Sequence, residues 1–187
     1  MRLILTIRYV LVLAAAQALC APVQAQTEQP GYASFIRTTI VARLADLEPS
    51  VTFWRDVMGF DYAGEPAPRT GSGNAFLGWD DNATTYFTSF TSKQGSTVAL
   101  LMIEDQPGFR TQAPIRPATA YGSVVLVHTA KGIRDVYDRA VAHGVEIVKP
   151  YGPSATGRSI QIMLRAPTGH FVEVYELLDQ PVRKPEA

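Results

Sequence analysis

Residues 45–60 read ADLEPSVTFWRDVMGF. Leu47, Val51, Trp54 and Met58 recur at the spacing of one helical face, and Gly59 stands where such a helix would end. Asp46 is placed to cap the first turn, which tolerates Pro49. Upstream, residues 35–44 alternate, with Ile36, Thr38, Ile40, Ala42 and Leu44 on one face and Phe35, Arg37, Thr39, Val41 and Arg43 on the other. A strand feeding a helix is the reading. Further extended segments are predicted at 60–64, 74–79, 84–91 and 97–104, with the Pro/Gly-rich stretch 64–73 as a loop.

The second half repeats this order. Residues 121–128 read as a strand, and Ile133, Val136, Tyr137, Ala140 and Val141 mark a helix that stops at Gly144. Residues 145–149 read as a strand and 152–157 as a loop. Residues 159–165 alternate, Ile160, Ile162 and Leu164 against Ser159, Gln161 and Met163. A tight turn, APTG at 166–169, precedes a last strand at 171–176. Gly59 and Gly144 lie 85 residues apart, and each half runs strand, helix, strand, strand, strand. Internal duplication is therefore expected, giving an α+β fold of two βαβββ modules, 35–104 and 119–178, in one domain over 35–178. Residues 105–118 read as the linker, 26–34 as a flexible lead and 179–187 as a tail.

The first 25 residues have a different logic. Arg2 and Arg8 precede an 11-residue apolar run at 9–19, and Val23 and Ala25 put small residues at the −3 and −1 positions of a cleavage site. A signal peptide cleaved after Ala25 is predicted, with the product exported to the periplasm or secreted. The sole cysteine, Cys20, would leave with it, and with it any thiol chemistry. The chain has 17 basic and 17 acidic residues, so no basic face for nucleic acid is expected. Hydrophobic residues at 47% and charged residues at 18% argue for a folded body, and no later stretch is long enough for a membrane span.

Residues 45–60 resemble the first-module signature of the vicinal oxygen chelate superfamily, which includes glyoxalases, bleomycin-resistance proteins and extradiol dioxygenases. Trp54 and Met58 stand where Tyr and Leu are usual. Residues 166–173, APTGHFVE, are similar to that family's turn and final strand, so the likeness runs over about 36–178. It implies two modules whose curled sheets surround a cleft, with metal ligands on the first and last strands of each. The four implied ligand positions are Thr39, Leu101, Ser123 and Glu173. Only Glu173 is a strong ligand, whereas a catalytic divalent site takes three. The parities of His128 and His170 turn them away from this set, and His143 falls at a helix end.

No metal site and no cofactor are therefore expected. By strand parity the cleft residues are Arg37, Thr39, Arg43, Leu101, Tyr121, Ser123, Gln161, Met163, Phe171, Glu173 and Tyr175. The two arginines could clamp an anionic oxygen, and Glu173 could act as a general base or be neutralised by one of them. The leading reading is a metal-free small-molecule binder of the bleomycin-resistance kind. The alternative is a superfamily lyase, isomerase or dioxygenase using Glu173 with a weak or displaced divalent metal. A third is a non-catalytic interaction partner. The resemblance allows a homodimer, the cleft lying within one chain or shared by two.

Overall fold

The alternation before residue 45 is realised as β1 (Thr38–Arg43), with Ile40 and Ala42 buried and Thr39, Val41 and Arg43 exposed. The computed structural model describes residues 37–71, 79–80, 82–104 and 124–180. The predicted signal segment, the lead, the 105–118 linker, Tyr121, Ser123 and nearly all of the expected 74–79 strand lie outside them.

The helix after β1 is built in three parts. A 3-10 turn (Leu44–Asp46) leads into α1 (Leu47–Val51), which widens into a π-type segment at Thr52–Val57. Asp46 does not cap α1 with its side chain. Its carboxylate turns back to Arg43, accepting from the backbone N at 3.2 Å and from Nη2 at 2.6 Å. The wide segment closes with Met58 N donating to Phe53 O at 3.0 Å and Phe60 N to Trp54 O at 2.9 Å. The extra residue in the turn turns more side chains inward than a regular helix would. Phe53 and Val57 are buried beside Trp54 and Met58. Gly59 ends the helix at φ +74°, a conformation that glycine adopts without cost.

The first sheet orders its strands β1, β5 (Thr97–Ile103), β4 (Thr85–Thr91) and β2 (Asp61–Tyr62), with β3 (Pro68–Arg69) also on β4. β3 falls inside the stretch expected to be a loop. β1 and β5 are parallel, pairing Ile40 with Leu100 and Val41 with Leu101, while β4 and β5 are antiparallel.

The second sheet orders β6 (Val125–Thr129), β9 (Phe171–Leu177), β8 (Ser159–Arg165) and β7 (Ile147–Pro153). β6 and β9 are parallel, as β1 and β5 are, so the two halves share one topology. β7 runs into the predicted loop at Gly152. Register shifts between Ile147 and Lys149 and between Lys149 and Gly152 accommodate Pro150 on this edge strand. The second helix, α2 (Ile133–Ala142), buries Ile133, Val136 and Ala140. Val141, expected on that face, is 54% exposed.

One face of each sheet packs on the helices. Ile40, Leu100 and Met102 from the first sheet and Leu126, Ile162, Leu164, Val172 and Val174 from the second belong to the same buried cluster. Trp54 joins them, its ring 6.4 Å from Phe90 of β4 and 5.7 Å from His128 of β6. The opposite face of each sheet is the one left for function. Among the described residues no helix is long and apolar enough to cross a membrane.

Candidate functional site

On the first sheet, the registers place Thr39, Val41 and Arg43 in line with Ala99, Leu101 and Ile103, and then with Ser89, Phe87 and Thr85. This is the face turned away from the helices, and on it Ala99, Ile103 and Thr85 are nonetheless buried. Arg37 lies just before β1 with its guanidinium carbon 5.0 Å from the centre of the Phe87 ring. Arg43 is ion-paired to Asp46 at 2.6 Å.

On the second sheet, Gln161, Met163 and Arg165 of β8 lie in line with Tyr175, Glu173 and Phe171 of β9, and these with Thr129, Val127 and Val125 of β6. Glu173 thus stands between Met163 and Val127. Among the described residues its carboxylate has no ion pair or hydrogen bond, so neither Arg37 nor Arg43 neutralises it. Phe171 differs from expectation. It is 2% exposed, with the Arg165 guanidinium 4.4 Å from its ring centre. Arg165 is itself held by Glu146 at 2.8 Å. The accessible surface over Phe171 is thus arginine rather than aromatic ring.

Arg165, Val127 and Phe87 were not among the site residues expected from the sequence; alternation from Met163 and Ser123 would reach the first two, whereas Phe87 is brought opposite Leu101 only by the pairing of β4 with β5. Tyr121 and Ser123 lie outside the described residues. Of the histidines, His128 is on the core face of β6 with its Nε2 buried and unpartnered, and burial lowers its pKa. His170 precedes β9 and is also lowered, chiefly by burial, with a smaller opposing effect from Thr168. His143 caps the end of α2 and is exposed.

Residues 37–174 match the Glyoxalase/Bleomycin resistance protein/Dioxygenase superfamily. The chain belongs to this superfamily. Solved structures agree on the fold. A glyoxalase family protein from Bacillus cereus is 17% identical with a TM-score of 0.65, the match covering 82% of this chain and 99% of that one. A glyoxylase/bleomycin resistance protein/dioxygenase domain from Frankia is 13% identical with a TM-score of 0.55, covering 79% and 94%. A glyoxalase family protein from Enterococcus faecalis is 14% identical with a TM-score of 0.51, covering 78% and 98%. No curated protein matches the chain.

The metal that this superfamily uses in its enzymes can be set against the donors present. Thr39 offers a neutral hydroxyl, and Ala99 and Leu101 beside it offer only alkyl groups. Glu173 has Val127 and Met163 as cross-strand neighbours. Among the described residues no three His, Cys, Asp or Glu side chains come together. These donors do not fit a three-ligand divalent centre.

Proposed function

We propose that the protein binds a small organic molecule on the sheet faces turned away from the helices and does so without the superfamily's metal. The observation that carries the reading is the setting of Glu173. It is the one carboxylate on its face of β9, it has no partner among the described residues, and Gln161, Met163 and Tyr175 surround it. An uncompensated carboxylate beside a thioether and a phenol suits a ligand with an apolar body and a cationic or hydrogen-bond-donating group. The same unpartnered carboxylate supports a second reading, in which Glu173 serves as a general base in a metal-free reaction.

Thermal melts of the protein with chelator, and with added Mn²⁺, Ni²⁺ or Zn²⁺, test metal independence. A ligand at 100 times its Kd stabilises the native state by about 2.7 kcal/mol, which a melt resolves. The expected outcome is no shift with any of these. One equivalent of tightly bound metal, lost in Glu173→Gln, would overturn the reading. Metal-free bleomycin, a cationic molecule, is the first organic probe, and its binding is expected to weaken in the same variant.

The charged, apolar and small-residue order of residues 2–25 supports export. N-terminal sequencing of the protein from its host is expected to begin at or near Gln26. A cytoplasmic product that retains Met1 contradicts it.

A further inference from the structure

On the helix side of the second sheet, where the end of the first helix meets the start of α2, lies a crevice of about 230 Å³. Met58, Phe60, Val136 and Val174 form the apolar part of its lining, beside Ser92, Gln94 and Thr129, with the His128 ring edge-on to Phe60 at 5.4 Å. Its charged lining is entirely cationic: Lys93, Lys131 and Arg139. Lys93 is satisfied by Asp61, at 2.7 and 2.8 Å. Lys131 and Arg139 have no carboxylate partner among the described residues.

Arg139 is fixed in place. Its Nε donates to the Val57 carbonyl at 2.9 Å, and its Nη2 lies 3.9 Å from where a Cβ on Gly59 would sit. Glycine at 59 leaves that side of the guanidinium clear. A fixed guanidinium and a lysine without counter-charges, beside an apolar wall, form the complement of an organic anion. At about 30 Å³ per water, the space equals roughly eight waters, enough for a single-ring carboxylate.

We propose that this crevice is a second ligand site, distinct from the sheet faces turned away from the helices, and that it takes a small organic carboxylate with an aromatic or similarly compact apolar body. The carboxylate meets Arg139 and Lys131, and the body lies along Phe60, Val136 and Val174. This does not depend on the reading of Glu173.

The test is a titration of the ¹⁵N-labelled protein with millimolar benzoate, with benzyl alcohol as its uncharged counterpart. Benzoate is expected to move the amides of Gly59, Gln94 and Lys131, and benzyl alcohol to bind about tenfold more weakly or not at all. Arg139→Gln is expected to weaken benzoate about tenfold. Because Arg139 also holds the end of the first helix, Lys131→Gln is the companion variant, expected to weaken binding with the melt unchanged. Absence of any amide shift, equal response to the two probes, or shifts centred on Glu173 and Met163 instead would each overturn the proposal.

Discussion

Glu173 and His128 are neighbours on adjacent strands, one residue out of step, and that single step separates their chemistry. Val127, not His128, pairs with Glu173, so the carboxylate takes the face turned away from the helices and the imidazole the core. Glu173→Gln is expected to change stability by no more than about 0.5 kcal/mol, because no charged partner is left behind. A loss of about 3–5 kcal/mol in a chemical-denaturation experiment would mean a buried pair and would remove Glu173 from the ligand face. His128 predicts the opposite kind of sensitivity. Burial beside Trp54 and Phe60 lowers its pKa, and the charged lining of the adjoining crevice consists of Lys93, Lys131 and Arg139, with Asp61 already bound to Lys93. The unfolded chain therefore takes up the proton first. The stability from keeping His128 neutral is complete above its unfolded pKa of about 6.5 and is lost as pH falls through the lower folded value. His170 contributes in the same direction. Melting temperature is expected to drop as the buffer is taken from neutral toward pH 5, and less steeply in His128→Leu. An identical slope in that variant would show that His128 is not the group responsible.

At the scale of elements, α2 shows what a local reading can and cannot reach. Ile133, Val136 and Ala140 were legible because burial repeats with the helical period. Its start was not. Gly132 precedes it at φ +73° and has no side chain to cap the helix. The cap arrives from 43 or 44 residues away. Glu176 accepts from Gly132 N at 3.0 Å and Ile133 N at 2.9 Å. The negative charge also faces the positive end of the helix. Glu176→Ala is expected to cost about 1–2 kcal/mol, measured by denaturant melts, with Glu176→Gln recovering part of it. No loss in the alanine variant would show that solvent caps the helix equally well. The same distinction runs through the candidate site. Alternation assigns the face of Thr39, Leu101, Gln161, Met163, Glu173 and Tyr175, because a strand has a period of two. It says nothing about partners, so the turning of Arg43 toward Asp46 and the cover of Arg165 over Phe171 emerge only from the folded chain. The wide turn at Thr52–Val57 was equally hidden, since its residues fit an ordinary helix until Trp54 and Phe53 both have to be buried.

The whole molecule poses the question of whether two halves of equivalent topology unfold as two units. Their sheets are separate but share one topology, and each has its own helix. Their core is continuous, and Trp54 and Phe60 carry it across to His128. The Trp54 side chain is fully buried, with Phe53, Phe60 and Phe90 from the first half and His128 from the second around it. Arg139 adds a polar tie, donating from α2 to Val57 at the end of the first helix. Exposing either half would strip apolar cover from the other, so neither half has a full core alone. A single cooperative transition is therefore expected, with far-ultraviolet circular dichroism and tryptophan fluorescence melting together. Trp54→Ala should cost about 3–5 kcal/mol, since it removes a large side chain from a filled core. If the halves were independent, that loss would fall on the first alone, and the second would still melt at the wild-type temperature. Two separated transitions in the variant, with the later one unmoved, would mean that the shared core contributes little to stability. A single transition shifted downward as one would mean that the two halves fold as one body.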